Sequence, residues 1–548
     1  MHRTWAWAMV AVLAAAALWG AMMGGTVIDD AFITLSNART FAHGHGLFLQ
    51  PGNAAQSASS TLWALILAPL TFAPALAPLG TKLVGGACYV AALLLLVPIM
   101  QRASAPGATL LGVPAPLAAV LLAAMMAPFG VWSLYGMENG LVALLIHASV
   151  LTLAMAWERT ESRWRRLLPA LPIILLYTSR PEAFGLVALL ASWDLAVGWA
   201  RQQLAALLSR WLTVAVAVSL YHSLVLWVYG DLLPTSASAK LGAPLATRIH
   251  SGALYVFASS HAFGTLPLLI AVVLGAATLW VSVLAVSQRA ASTRAALRHS
   301  LATDAAFRIL LLSTLLVSGQ LLFMLVTGGD WMPFARFASH LLPLAACVIV
   351  MALEGPVRGW LGDRLQRYAT TLPALCIGVL LLSQAAGLAI WVPRMHALEA
   401  SELRALDGLV RRLNPCSGPE TLVAASDIGW LSWAYHGRVL DWFGLADRAI
   451  TAAGESQGRI HPETLVRRRP DYVVLYSNAP QLGSRSVATG MATYSRAFIH
   501  SAAFLAAYVP RFSLQFAPER WHVVLQRRDE PACPAGAARS LSGGVAAR

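Results

Sequence analysis

The sequence predicts an α-helical multispanning membrane protein, with a transmembrane domain over residues 1–394 joined to a soluble α/β domain over residues 395–548. Three observations carry that expectation. Hydrophobic residues make up 58% of the 548 and charged residues only 12%, about half the charged share of an ordinary soluble domain. Uninterrupted apolar runs of about 20 residues, enough to cross a ~30 Å hydrocarbon core as a helix, recur until roughly residue 391. From Met395 onward charge, Gly and Pro return and short strand-like runs appear, "DYVVLY" (471–476) and "WHVVLQ" (521–526), as a separate folded domain requires.

The apolar runs define about eleven spans, over residues 5–23, 79–100, 108–128, 139–157, 167–179, 183–199, 211–229, 264–286, 306–327, 334–353 and 369–391. The net charge of +14 does not point to nucleic acid, because the arginines are distributed by loop. With a cytoplasmic N-terminus, the cytoplasmic loops hold Arg102, Arg159 to Arg166, Arg201, Arg210, Arg289 to Arg308 and Arg358 to Arg367. The opposite loops hold few basic residues, which is the positive-inside pattern and places the C-terminal domain outside. In a bacterium that is the periplasmic or extracellular face of the inner membrane. A cleaved signal peptide is the rival reading of residues 1–25; cleavage there would leave Asp29 and Asp30 at a ragged terminus, so the first span is read as retained. The five cysteines have no metal-like spacing, and only Cys416 and Cys533 lie outside apolar runs where they could pair.

Charges outside the cytoplasmic loops gather at the external ends of spans. Asp29 and Asp30 follow the first; Glu138 in "WSLYGMENG" precedes the fourth; Arg180 and Glu182 in "TSRPEAFG" separate the fifth and sixth. Asp330, Trp331 and Arg336 lie in "TGGDWMPFARF" between the ninth and tenth. Ionisable groups near a bilayer are costly and mark an aqueous site by default. The blander reading is open for each: an acid capping a helix N-terminus, or Arg180 and Arg336 paired with Glu182 and Asp330 to hold a loop. "AFITLSNARTFAHG" and "SSTLWALILAPLTF" (59–72) read as helices lying in the outer interface, so the first external loop is structured.

The stretches "DDAFITLSNARTFAHGHGLFLQPG", "GMEN", "SRPEA", "GGDWMPFARF" and "SDIGWLSWAYHGRVLDWFGLAD" resemble, in order, motifs of bacterial multispanning glycosyltransferases of the C-type fold, most of all the terminal arabinofuranosyltransferase group. The chain departs from that group at Gln56 and Thr61, where an acidic and Thr-Ser-Pro stretch is usual, and at Ala183, where Gly is usual. The resemblance implies a polyprenyl-phosphate-linked sugar donor and transfer to a hydroxyl of an envelope glycan, lipid or protein, usually with inversion; the sequence marks no cofactor and leaves a divalent metal open.

A hydroxyl attacking an anomeric carbon needs a general base, and a carboxylate suits that role; Asp29 is the candidate, with Asp30 orienting the acceptor or completing the carboxylate pair. The leaving group is a lipid phosphate anion, which Arg180 and Arg336 would meet. Glu138, Glu182, Asp330 and Trp331 are expected to line the substrate site. In the external domain Asp427, Asp441 and Asp447 lie in a run rich in Trp and Phe, so Asp441 and Asp447 are expected either to help bind the acceptor or to belong to a Trp-rich segment that packs the domain. A multispanning lipid transporter or flippase is the alternative from another class; the internal repeats it would show are not visible.

Overall fold

The structure, a computed structural model, describes residues 2–24, 27–53, 55–158, 166–257, 259–288, 290, 292–330, 332, 334–354 and 370–530. The chain divides into two compact units, one comprising Met1–Gly25, Pro78–Trp227 and Ala243–Pro393, the other Thr26–Ala77, Val228–Gly242 and Arg394–Arg548. The last segment of the second unit begins at Arg394. The segments Thr26–Ala77 and Val228–Gly242 cluster with it by contacts.

The first unit is built of apolar helices. Among the described residues eight are long and apolar enough to cross a membrane, which makes the chain a multi-pass membrane protein. The expected span 108–128 corresponds instead to a pair of helices, Ala115–Ala124 and Ala127–Leu134, bent by 62° as in a broken span or a re-entrant loop. The break falls at Met126, which is extended and followed by Pro128 in the first turn of the next helix, where the missing N–H costs nothing. The two remaining expected spans are short helices, Ala170–Ser179 and Leu342–Glu354. The first stops at Arg180, whose extended backbone is what a following proline imposes. The second is preceded by a separate four-residue helix, Arg336–Ser339, which begins directly after Phe334 and Ala335, both at positive φ. Helices approach closely at small residues, as membrane packing favours: a Cβ on Gly85 would lie 2.1 Å from the Ser133 carbonyl oxygen. A buried Asp194 carboxylate is satisfied by Arg210, Trp157 Nε1 at 2.7 Å and Trp211 Nε1 at 2.9 Å.

A two-residue hairpin in the first unit pairs β1 (Thr109–Leu110) with β2 (Val113–Pro114). The second unit is a five-stranded mixed sheet: β3 (Leu422–Ala425), β4 (Arg438–Asp441), β5 (Tyr472–Ser477), β6 (Tyr508–Ala517) and β7 (Arg520–Arg527), in the order β4-β3-β5-β7-β6. β3 pairs in parallel with β4 and β5, while β7 runs antiparallel to both β5 and β6. The two-residue period of a strand sorts its core. Tyr472, Val474 and Val524 face Leu409, Val410 and Leu413 of the helix Thr371–Leu413. Val473, Leu475, Val523 and Leu525 face the opposite way, onto Trp442, Phe498 and Phe504. The edge strand β6 carries Pro510 and two register shifts, features that belong at a sheet edge.

The segment after the first apolar helix is sewn onto this sheet. Gln50 donates to the Val439 carbonyl at 2.7 Å and accepts from the Val439 N–H at 2.9 Å, so one amide side chain completes the open edge of β4. Asn53 donates to the Ala446 carbonyl at 3.2 Å, and Tyr229 Oη to the Leu47 carbonyl at 2.7 Å. The expected helices are present as Asp29–Ala42 and Thr61–Leu67, the latter continued by a 3₁₀ turn to Phe72.

Candidate functional site

The first unit gathers one arginine–carboxylate cluster. Arg180, extended between the helix Ala170–Ser179 and Pro181, donates to Glu138 Oε1 at 2.6 Å and to Glu182. Arg336 lies 3.4 Å from Asp330 and 3.8 Å from Glu138. Side-chain exposure is below 10% for all five residues, so the cluster sits out of water and each charge relies on its partners. The loop that carries Arg336 is fixed by its backbone: Trp132 Nε1 donates to the Phe334 carbonyl at 3.1 Å, Asn139 to the Arg336 carbonyl at 3.0 Å, and Gln320 to the Phe337 carbonyl at 2.7 Å. The Arg180 guanidinium also lies over the Phe337 ring, 5.2 Å from its centre. Glu138, Arg180, Glu182, Asp330 and Arg336 are thus brought together, from three separate stretches of sequence. The pairings Arg180–Glu182 and Arg336–Asp330 are those the loop-holding reading expects; Glu138, shared between both arginines, is an addition. Trp331 lies outside the described residues.

The second unit holds Asp29 and Asp30 as the first residues of the helix Asp29–Ala42. Neither caps that helix, whose N-cap is Ile28. Asp29 instead accepts from the backbone N–H groups of Gly429 at 2.9 Å and Trp430 at 2.7 Å, the start of the helix Gly429–Ala434. Arg39, three turns further on, donates to the carbonyls of Ser432 and Trp433 at the other end, at 2.9 and 2.8 Å. An anion meets the positive end and a cation the negative end of one short helix. Phe32 against Trp430, with ring centres 4.8 Å apart, and Ser36 against Ser432, at 3.0 Å, fill the interval. The approach leaves no room for a side chain: a Cβ on Gly429 would lie 1.9 Å from the Asp29 carbonyl oxygen.

Around Asp29 the unit collects further carboxylates. Burial first, and then the neighbouring Asp30, push the Asp29 carboxyl up to about 6, against the Trp430 and Gly429 N–H groups that hold it down. Burial, then Glu402 and Asp29, raise Asp427 well above the ordinary range. Glu399, buried on the polar half of the helix Thr371–Leu413, is within electrostatic reach of Asp29, Asp30 and Asp427. Tyr476 on β5 donates its hydroxyl to Asp427 and lies 3.3 Å from Glu402. His522, opposite Tyr476 in the β5–β7 register, completes the group; burial drops its imidazole to about 3, so it is neutral. Glu402, Asp427 and His522 offer three ligand atoms within 4.8 Å of one another.

Asp441 and Asp447 are engaged elsewhere. Asp441 is buried and accepts from the N–H groups of Phe443 at 2.9 Å, Gly444 at 3.1 Å and Ala446 at 2.6 Å, closing the turn after β4. Burial pushes its carboxyl up to about 7 in spite of those donors. Asp447 caps the helix Arg448–Ala452 through Ala449 and Ile450 and pairs with Arg468 at 3.3 Å. Replacing Asp441 by Ala should lower the stability of the second unit by about 3 kcal/mol, the scale for charge-assisted hydrogen bonds lost together with a buried turn. The midpoint of thermal unfolding checks it; a changed acceptor KM with an unchanged midpoint would instead make Asp441 an acceptor ligand.

Sequence reading missed Glu399, Glu402 and His522. "LEASELRALDGL" reads as the solvated face of a helix and "WHVVLQ" as a strand, and nothing local marks either for chemistry. The one available signal was the polar continuation of the last apolar run, which carries two glutamates three residues apart on one helix face. Cys416 is disulfide-bonded, Cys88, Cys347 and Cys376 are free, and Cys533 lies outside the described residues.

Comparison with known proteins gives a family match only in the C-terminal portion: residues 396–536 match a domain of unknown function, DUF8728. No curated protein matches. Among solved structures, the Archaeoglobus fulgidus oligosaccharyltransferase in complex with Zn and sulfate is similar with a TM-score of 0.46 and 12% identity, over 86% of this chain and 67% of that one. Oligosaccharyltransferase AglB from the same archaeon, in complex with an inhibitory peptide and a dolichol-phosphate, gives 0.44 and 12%, over 85% and 69%. The form tethered with an acceptor peptide gives 0.44 and 12% over the same shares.

Proposed function

We propose that the protein is an integral membrane glycosyltransferase that moves a sugar, arabinofuranose by its resemblance, from a polyprenyl-phosphate donor to a hydroxyl of an envelope glycan, lipid or protein, at the outer face of a bacterial inner membrane. The observation that carries the reading is Asp29: a carboxyl raised to about 6, both of whose oxygens are fixed by backbone donors. A base poised near the working pH and held in one orientation is what proton removal from a weakly acidic hydroxyl requires.

In the proposed reaction the acceptor oxygen forms a bond to the anomeric carbon while the bond from that carbon to the donor phosphate breaks. The electron pair leaves with polyprenyl phosphate, and the acceptor proton passes to Asp29. One displacement inverts the anomeric centre and needs no covalent sugar intermediate. Asp30 orients the acceptor. Arg180 and Arg336 stabilise the charge that develops on the phosphate; their guanidinium planes suit phosphate oxygens. Glu138, Glu182 and Asp330 set the orientation of those arginines, and in this reading they line the donor side. Asp441 and Asp447 belong to the acceptor side in this reading, from the turn after β4 and the cap of the helix Arg448–Ala452.

Purified full-length protein in lipid nanodiscs, given polyprenyl-phosphoarabinose and a hydroxyl acceptor, should release polyprenyl phosphate and yield a glycosylated product, both read by mass spectrometry. In proteoliposomes, intact donor crossing the bilayer without cleavage would sustain the transporter reading and end this one.

A further inference from the structure

Within the second unit His522 poses a problem that the proposed reaction does not solve. Its side chain is 1% exposed, and Nε2 has no hydrogen-bond partner. A buried ring nitrogen without a partner is costly. The ring is held on two sides: Phe516 stacks on it with centres 4.5 Å apart, and Tyr476 lies 5.2 Å away across the strand pair. The nitrogen it presents lies 3.9 Å from Glu402 Oε1 and 4.0 Å from Asp427 Oδ2, too far for hydrogen bonds.

We propose that Glu402, Asp427 and His522 bind one divalent transition-metal ion, Zn²⁺ in preference to Mn²⁺, at an open three-ligand site. Zn–N and Zn–O bonds of about 2.0–2.2 Å place neighbouring ligand atoms on the order of 3.3–4 Å apart, close to the observed spacing. One neutral imidazole and two carboxylates are a nitrogen and oxygen donor set suited to zinc, and zinc stands above manganese in intrinsic affinity. The outer contacts are those a metal centre uses to aim its ligands: the Tyr476 hydroxyl touches both carboxylates. The ion can enter, since Glu402 and Asp427 keep 16% and 19% of their side-chain surface exposed. A cleft of about 370 Å³ is lined by Tyr476 and Phe516, the two residues packed on the His522 ring, and the remaining coordination positions are left to water.

The charge balance favours a cation as well. Asp427 is faced by Glu402, Asp29 and Asp30, and Glu402 by Glu399, with Arg520 as the opposing positive charge. A doubly charged ion would offset that repulsion and tie the helix Thr371–Leu413 to β7 through side chains 120 residues apart in sequence. The site stands whatever reaction the protein performs.

The test uses tag-free, full-length protein in detergent, stripped with chelator and titrated with Zn²⁺ alone and with Mn²⁺ alone by calorimetry, with bound metal counted by mass spectrometry. One equivalent of Zn²⁺ per chain is expected, with the unfolding midpoint raised by several degrees. His522→Ala should lose affinity by 100-fold or more and Tyr476→Phe by about 10-fold, while His43→Ala, an exposed histidine outside the cluster, should match the wild type. X-ray absorption on the wild-type complex should show an imidazole shell, a readout that does not depend on how the variants fold. Binding well below one equivalent, equal affinity in His522→Ala, or absorption with no imidazole shell would each overturn the site.

Discussion

Asp29→Asn should lower the turnover of donor by 10²-fold or more, the usual cost of a lost general base, with donor binding largely kept. The amide keeps one oxygen able to accept from Gly429 or Trp430 but cannot accept a proton from the attacking hydroxyl. The substitution also removes a charge whose burial opposes ionisation, so loss of one hydrogen bond is partly offset and the second unit should stay folded. The linkage runs in one direction. A folded carboxyl raised from 3.8 to about 6 binds its proton more tightly than the unfolded chain does, so this group's contribution to stability is largest below pH 4 and is lost as pH rises through 6. The wild type should therefore gain stability relative to Asp29→Asn on acidification through that window. Near-native turnover in Asp29→Asn together with loss in Asp30→Asn would exchange the two roles.

Arg180→Ala should be the most damaging change in the first unit, for two reasons that can be separated. Removing the guanidinium leaves Glu138 and Glu182 buried without it, and breaking a buried pair from one side costs about 3–5 kcal/mol. In the proposed reaction it also removes a planar donor for the leaving phosphate. Arg180→Lys should restore much of the stability and little of the turnover, because a point charge cannot hold two phosphate oxygens at once. The triple variant Arg180→Met with Glu138→Gln and Glu182→Gln removes the charges together; it should fold and fail to use donor, judged by chromatography and by polyprenyl phosphate release. If that variant turns over normally, the cluster only holds its loop.

The outline of this architecture was legible because long apolar runs and a change of composition are properties of short windows. The helices were found wherever about 20 apolar residues run together, and the overestimated span lengths have local causes at Pro181 behind Arg180 and Pro128 behind Met126. Asp29, Asp30 and the arginine cluster were legible because charges stand out against apolar sequence. Glu399 and Glu402 do not stand out, since polar residues on a helix outside the membrane are ordinary, and His522 alternates along a strand as any inward residue does. Only the packing of β5, β7 and the polar end of a helix brings them to Asp427. The expectation of Asp441 as an acceptor ligand rests on neighbouring aromatics; in the fold Trp442 is core, its indole donating to the Val474 carbonyl at 3.0 Å, and Asp441 turns the chain so that it can be. Likewise no window reveals that Gln50 completes the edge of β4, 389 residues away.

The pH dependence of single-turnover sugar transfer bears most directly on the central role given to Asp29. The rate of polyprenyl phosphate release by full-length protein, followed from pH 4.5 to 8, should fall on the acid side with an apparent pKa near 6, where the Asp29 carboxyl takes up its proton. Because Asp30 contributes to that elevation, Asp30→Asn should move the acid limb to lower pH while leaving a measurable rate. An acid limb that is absent, or that stays in place when Asp30 is neutralised, would contradict the assignment and leave Asp29 as the strap that fastens the helix Asp29–Ala42 to Gly429–Ala434.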